Sequence, residues 1–393
     1  LEKVDAELLP QPIEAIETDE TISGLEFNIQ SNYDNYYSKN IHFKWRESTE
    51  LNKSIVLEIG IKSKEGSYFS NFIIDDEFIY SIDNKLYFTI YNLSDGSINY
   101  KIKLDKIIDP NLVMPISISK IDNYFFAGFG NGSIIKFDNK GKIYWTLDFK
   151  DLLKTPIKIH NNNIIVLLSD KIISLNPKTG ELNWLHDYYN ENILQSMGGD
   201  IINLNHLLFF ILPNNRVGEI DTLFGEKNNS IFSDLIYEDS INNSFDKIHA
   251  FKNYVSYFDQ KKYLTTINSN KNTIILNKNK IEKVQSYQFF NNSLITLNDD
   301  RLLRSFNIFN GNLFWKIDTK DILLKEDTII NIASSANSFF IFFQGGNILE
   351  LDHRTGNIIS VQKLKLKNIN YVYFIDKYIL INQQNGKTSV FIQ

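Results

Sequence analysis

The chain has 393 residues and a formal net charge of −6, which excludes a protein built chiefly to bind nucleic acid, because no broad basic excess is there to neutralise phosphates. It contains no cysteine, so disulfides, thiol catalysis and cysteine-held zinc are removed together. At 43% hydrophobic it can build a sizeable core, yet no apolar run reaches the roughly 18 residues that a membrane-spanning helix needs.

Residues 1–40 read as an extended tail or tether. LEKVDAELLPQPIEAIETDE is acidic, holds two prolines and lacks strand alternation, and SNYDNYYSKN (31–40) is a polar, tyrosine-rich approach. IHFKWRE (41–47) is an isolated strand carrying Trp45. Beyond it, runs rich in Phe, Tyr, Ile and Val alternate with joints rich in Asn, Asp, Ser and Gly, the pattern of short strands and turns. One stretch shows the unit. TPIKIHN (155–161), NIIVLLS (163–169) and KIISLN (171–176) are three strands, PKTG (177–180) is a turn with Pro early and Gly late, and ELNWLHD (181–187) is a fourth strand.

The unit repeats. Gly, three residues and Trp recur at Gly141/Trp145, Gly180/Trp184 and Gly311/Trp315, with Tyr100 in the Trp place after Gly96. Gly225 and Gly356 keep the turn and lose the aromatic. The glycines are spaced by 45, 39, 45, 86 and 45 residues, and the long step is two periods of 43, with a degenerate copy at Thr265–Leu276. A period of this length made of strands predicts a β-propeller. Blades are expected at 68–104, 113–149, 155–188, 197–233, 246–278, 285–318 and 327–365. The last stretch, 368–393, holds only three strands, so strand 41–47 is expected to supply the fourth and close an all-β, eight-bladed ring over 41–393. The tryptophans are expected to lie buried in the wedge between blades rather than against a ligand.

Signals for chemistry are sparse. The six histidines (His42, His160, His186, His206, His249, His353) show no ligand spacing and read as surface or turn residues. The pairs Asp75–Asp76 and Asp299–Asp300 read as turn residues near the second and third strands. GFGNGS (128–133) looks like a phosphate loop, but a strand follows where a nucleotide site needs a helix, so it reads as a hairpin. No catalytic, cofactor-binding or metal-binding residue is assigned, and no cofactor is expected.

The Gly-x-x-x-Trp repeats resemble those of the pyrroloquinoline-quinone-type propellers over about residue 41 to the end. The quinone enzymes of that family carry a vicinal cysteine disulfide, which this chain lacks. Within it, the chain is similar to the BamB-like outer-membrane β-barrel assembly lipoproteins. The similar stretches are EGSYFSNFIIDDEFIYSI (65–82), LPNNRVGEIDTLFGE (212–226), RTGNIISVQKL (354–364), the three-stranded C-terminal end and LLPQP (8–12). The resemblance implies a non-enzymatic, periplasmic scaffold that binds the barrel-forming subunit of the assembly machinery and assists unfolded outer-membrane proteins, a monomer within a complex. It implies partner contacts from NENILQSMGGD (190–200) and YEDSINNSFDK (237–247), with Ile193, Leu194 and Asp246 as the contact residues; Gln195 and Ser196 stand where the family has an arginine. The chain starts at Leu and reads as a processed or trimmed form, from which any signal peptide or lipid-bearing cysteine would already be missing. The competing readings are a cysteine-less quinoprotein or other propeller enzyme with a central-channel site, and an interaction propeller of another membrane complex.

Overall fold

The computed structural model describes residues 59–60 and 72–392 apart from 76, 84–85, 94–95, 105–114, 154, 188–199, 205–206, 212–216, 223–224, 228–246, 259–261, 272, 335–337, 353, 376–377 and 385–386. In chain order the first strand is β1 (Ile59–Gly60). Blade 1 follows as β2 (Ile73–Ile74), β3 (Phe78–Ile82), β4 (Tyr87–Asn92) and β5 (Ile98–Lys103), and blade 2 as β6 (Pro115–Ile121), β7 (Tyr124–Phe129), β8 (Ser133–Asp138) and β9 (Ile143–Asp148). Blade 3 is β10 (Lys158–His160), β11 (Asn163–Leu167), β12 (Lys171–Leu175) and β13 (Leu182–Asp187); blade 4 is β14 (Asp200–Leu204), β15 (Leu207–Ile211), β16 (Val217–Asp221) and β17 (Glu226–Lys227). Blade 5 comprises β18 (Lys247–Phe251), β19 (Tyr254–Phe258), β20 (Tyr263–Asn268) and β21 (Thr273–Lys280), and blade 6 comprises β22 (Ser286–Phe290), β23 (Ser293–Leu297), β24 (Leu302–Asn307) and β25 (Leu313–Asp318). Blade 7 is β26 (Ile329–Ser334), β27 (Ser338–Phe343), β28 (Asn347–Asp352) and β29 (Ile358–Lys363). Blade 8 joins β30 (Ile369–Ile375), β31 (Tyr378–Gln383) and β32 (Lys387–Ile392) to β1.

Eight separate four-stranded antiparallel sheets result, an eight-bladed propeller closed by an N-terminal strand. The blade limits agree with the sequence periods to within a few residues. The closing strand does not carry the expected residues: β1 pairs through Ile59 with Thr388 and Gly60 with Lys387, while 41–47 and Trp45 lie outside the described residues.

Position in the blade explains strand composition. The second and third strands are covered on both faces by neighbouring blades, so they are continuous buried runs such as SFFIFF in β27. The fourth strands have one solvated face and alternate, as IYWTLD does in β9. The buried apolar side chains form eight clusters, and each bridges two adjacent blades. The hydrophobic core is therefore a set of inter-blade seams.

The turn between third and fourth strands is built alike in most blades. An Asn or Asp ends the third strand, and its carbonyl accepts the N–H of the repeat glycine: Asn92 from Gly96 at 2.8 Å, Asn176 from Gly180 at 2.8 Å, Asp221 from Gly225 at 2.7 Å, Asn307 from Gly311 at 2.8 Å and Asp352 from Gly356 at 3.0 Å. The side chain of the same residue accepts a turn amide, as Asn176 Oδ1 does from Lys178 and Asp352 Oδ1 does from Thr355, both at 2.8 Å.

The aromatic residue packs against the glycine of the next blade. A methyl group on Gly180 would lie 3.1 Å from the Trp145 ring, one on Gly225 would lie 2.3 Å from Trp184, and one on Gly356 would lie 2.5 Å from Trp315. Trp145 Nε1 also donates to the Pro177 carbonyl at 3.3 Å. The glycines have positive φ as well, +78°, +67° and +71°, so the turn needs glycine twice, for its backbone and for its missing Cβ. Of the three tryptophans, Trp315 is fully packed at 8% exposure. Trp145 and Trp184 are mostly buried as well, each with part of its ring exposed, so all three pack between blades as expected.

Trp315→Ala should cost about 3–5 kcal/mol in urea unfolding. Gly356→Ala should also destabilise, through the ring contact and about 1–2 kcal/mol of left-handed backbone strain. In the double variant the two losses should fall short of their sum, because the contact is then already gone. Strict additivity would show that the two residues do not form one unit.

Candidate interaction face

Antiparallel blades sort their connections by end. The first-to-second and third-to-fourth turns lie at one end of the ring, and the second-to-third turns lie with the blade-to-blade connections at the other. The first strands of neighbouring blades touch, β14 with β18, β22 with β26 and β26 with β30, so they surround the centre. The turn end is regular, with short Asn- and Asp-containing hairpins. At the connection end the described segments, 149–157, 281–285, 319–328 and 364–368, differ in length and sequence. Variable loops on a rigid ring are where binding surfaces are usually built.

Polar side chains tie the starts of these first strands together across seams. Ile157 N donates to Ser117 Oγ at 3.0 Å, Ile329 N to Ser286 Oγ at 3.0 Å, and Ile248 N to Asp200 Oδ2 at 3.1 Å. The last bond has a positional consequence. It brings the start of β18 against the start of β14.

Two of the described connections share a pattern that the glycine repeats concealed. Asp148 and Asp318 end their fourth strands and accept the N–H of Lys150 at 2.9 Å and Lys320 at 3.0 Å. Asp151-Leu152-Leu153 and Asp321-Ile322-Leu323-Leu324 follow. Leu153 and Leu323 plug their seams and are buried, while Leu152 at 40% and Leu324 at 60% face solvent. Comparing KDLLK (150–154) with KDILLK (320–325) would have disclosed this element from sequence. Leu152 edges an open groove of about 740 Å³ lined also by Asn131, Asp148, Lys150, Asp170 and Lys171. The Lys171 ammonium is held above its usual range by Asp170, 2.9 Å away, with Asp187 and Asp151 adding to the effect against partial burial.

Ile193, Leu194 and Asp246 lie outside the described residues, as do His42, His206, His353 and Asp76. The rest of the sequence candidates resolve into structural roles. GFGNGS is the hairpin between β7 and β8, with Gly132 N donating to the Phe129 carbonyl at 2.9 Å. Asp299 and Asp300 form an exposed turn between β23 and β24. Asp75 sits between the first and second strands, one turn earlier than expected, and binds Lys120 of blade 2 at 2.8 Å and the Tyr80 hydroxyl at 2.6 Å. Burial pushes its carboxyl up, but hydrogen bonds from Lys120, Tyr80 and the N–H groups of Phe78 and Glu77 outweigh that and hold it below the usual range. Tyr80 is driven above its ordinary value by burial and by Asp75. His160 and His186 bridge seams, to Thr222 Oγ1 at 3.0 Å and to the Gly225 carbonyl. His249 is the exception to the surface expectation: it is buried on β18, donates Nε2–H to the Asn291 carbonyl at 2.6 Å and stacks on Phe289 with centroids 5.1 Å apart. Among the described residues no three or more His, Asp or Glu side chains are grouped to hold a metal, and no helix is long and apolar enough to cross a membrane.

No protein-family model and no curated protein sequence match the chain. Solved structures do. BamB from Moraxella catarrhalis superposes with a TM-score of 0.61 at 14% identity, covering 84% of this chain and 97% of that one. The computationally designed Ika8 protein gives 0.62 at 14% identity over 84% and 97%. The C-terminal WD40 domain of Sif2 gives 0.57 at 10% identity over 86% and 98%. At these identities the likeness is one of fold: the chain is similar to a bacterial propeller, a designed propeller and a WD40 propeller alike.

Burial lowers the His249 pKa to about 4 in the fold, against the partly compensating hydrogen bond to Asn291; the unfolded value is about 6.5. Between those two values the unfolded chain takes up a proton that the folded chain refuses. The contribution to stability is therefore complete above about pH 6.5 and is lost as pH falls towards about 4. Thermal midpoints of His249→Gln should vary less than wild type between about pH 6.5 and 5, above the range where ordinary carboxylates titrate. Identical slopes for the two proteins would remove His249 as the cause.

Proposed function

We propose that the chain is a non-enzymatic interaction propeller whose connection face docks a protein partner, and that it serves as a periplasmic scaffold of outer-membrane β-barrel assembly, held near the membrane by an N-terminal lipid anchor preceding this sequence. The observation that carries the docking face is the Asp200–Ile248 hydrogen bond. It joins β14 to β18, and the stretches that precede these strands in sequence, 188–199 and 228–246, contain Ile193, Leu194 and Asp246. A few central apolar residues beside a charge are the usual composition of a binding hot spot. The assembly-machinery assignment rests on the sequence resemblance and is supported by the superposition on BamB.

The fourth strands add a second property. Ile98, Leu182, Leu313, Ile359 and Val361 are exposed on the outermost strands, whose outer edges pair with no further strand of their own sheets. Such edges accept an extended segment by strand addition, which suits a scaffold that handles unfolded outer-membrane proteins.

Leu194→Ser with Asp246→Asn should abolish co-purification with the barrel-forming subunit while leaving the thermal midpoint nearly unchanged. Retained binding would remove this site, and a large fall in the midpoint would show Leu194 to be core. Reconstitution with pyrroloquinoline quinone and calcium should yield no alcohol-dependent dye reduction; measurable turnover would replace the scaffold by an enzyme.

A further inference from the structure

We propose that the outer rim of blades 2 and 3 at the turn end, edged by Tyr100 of blade 1, is a seat for an anionic lipid surface. It is built from lysines and tyrosines in contact with one another. The Tyr100 hydroxyl donates to the Lys140 carbonyl at 3.3 Å, which sets blade 1 against the turn of blade 2. Just past that turn, Lys142 Nζ lies 5.1 Å from the centre of the Tyr144 ring, and Tyr144 meets Tyr124 edge to face at 5.1 Å. Lys136 Nζ lies 4.2 Å over Tyr124 and 5.7 Å from Tyr144, and it reaches the Lys178 carbonyl in the turn of blade 3 at 3.4 Å. The contacts are continuous over three blades.

The charge on this rim is unbalanced. Lys140, Lys142 and Lys178 are exposed, and none forms an ion pair among the described residues. Lys136 is buried beneath them, where burial and then the Lys178 charge hold its ammonium below the usual range. The carboxylates of the two turns are Asp138 and Glu181. Asp138 is engaged inside its own turn: one oxygen accepts the N–H groups of Lys140 and Lys142, both at 2.9 Å, and the other accepts the Tyr144 hydroxyl at 3.3 Å. Glu181 accepts the Thr179 hydroxyl at 3.0 Å. Four lysines therefore stand against two carboxylates, in a chain whose net charge is −6.

Exposed apolar groups lie among the lysines: Tyr100 at 38%, Tyr144 at 45% and Leu182 at 54%. Amphipathic rings beside basic side chains are the composition that settles at a membrane–water interface, where the ring enters the headgroup layer and the ammonium meets phosphate. The lysines are spread over the turns of two blades, which suits a layer of headgroups better than one small anion. Blade 6 gives the contrast: Leu313 and Phe314 are exposed at the same place, but its turn, Asn307–Asn312, carries no charge.

Flotation of the full chain with lipid vesicles alone tests this. At low salt the protein should float with vesicles containing phosphatidylglycerol and stay behind with pure phosphatidylcholine, and added salt should release it. Lys140→Gln and Lys142→Gln should each weaken binding by about fivefold. Lys316→Gln with Lys325→Gln makes the same change in net charge elsewhere on the ring and should leave binding in place. All these lysines are exposed, so the thermal midpoints should stay near wild type. No flotation with the anionic vesicles, equal flotation with both kinds, or equal loss in the control pair overturns the proposal. Capture of an acidic protein through Lys140 and Lys142 without vesicle binding overturns it in favour of a protein partner. Because the vesicles contain no protein, failure here leaves the scaffold reading standing.

Discussion

The fold depends on the contact between a large outer-strand side chain and a glycine turn in the following blade. Among the described residues no ladder runs from one blade to the next, and backbone amides cross the seams only singly, as Ile369 N does to the Gln344 carbonyl at 3.0 Å. Cohesion of the ring therefore comes from side-chain packing at the seams, where all eight apolar clusters lie. Near the centre, blades are close enough for ordinary Ile, Leu and Phe side chains to interdigitate. Towards the rim they diverge, and a larger group must reach a surface that offers no Cβ. Trp145, Trp184 and Trp315 against Gly180, Gly225 and Gly356 solve that problem in one way.

Where the tryptophan is missing, the neighbouring seam explains why. Blade 7 carries Ser360 in the slot, and the blade after it has no third-to-fourth turn, since β32 and β1 come from opposite ends of the chain. Without a glycine to contact, the slot holds a polar bridge: Ser360 and Ser338 donate to the two oxygens of Glu350 at 2.8 and 2.9 Å. Blade 4 has Asn229 at the corresponding sequence position, and the turn of blade 5, Asn268–Lys271, has no glycine. Aromatic and glycine are lost together at that seam. It is held instead nearer the centre, by Ile202, Phe209, Ile248, Val255 and Tyr257 and by the Asp200–Ile248 bond. Two further seams substitute other side chains: Ile102 lies on Gly141, and Asn279 donates to the Gly311 carbonyl at 3.3 Å.

These relations show what was legible in the sequence. Glycine spacing disclosed the blade number and limits because the turn demands a positive φ that few other residues tolerate. The Gly and Trp of one motif do not meet: Gly180 receives Trp145 of the blade before, and Trp184 reaches Gly225 of the blade after. The closing strand was assigned to 41–47 because a tryptophan marks a fourth strand elsewhere. The residues that do pair with β32, Ile59 and Gly60, lack any aromatic signal. His249 was read as a surface residue because a histidine inside a strand has no local pattern; its burial is set by Phe289 and Asn291 of the next blade. Asp75 likewise looked like a turn residue, and its ion pair with Lys120 spans a seam that no short window contains. The candidate contact residues Ile193, Leu194 and Asp246 came from the family resemblance alone, because a repeat period carries no information about residues outside the repeated strands and turns.

The two ends of the ring divide these constraints. At the turn end, each hairpin must fit the blade beside it, so Asn, Asp and Gly recur at fixed positions. At the connection end, several residues serve the seams, among them Leu153 and Ile157 in one segment and Ile322 and Leu323 in another. Leu152 and Leu324 do not, and stand exposed. The seam between blades 4 and 5 lacks the rim lock and is secured by the cluster of Ile202, Phe209, Ile248, Val255 and Tyr257, so the repeat constrains its rim least.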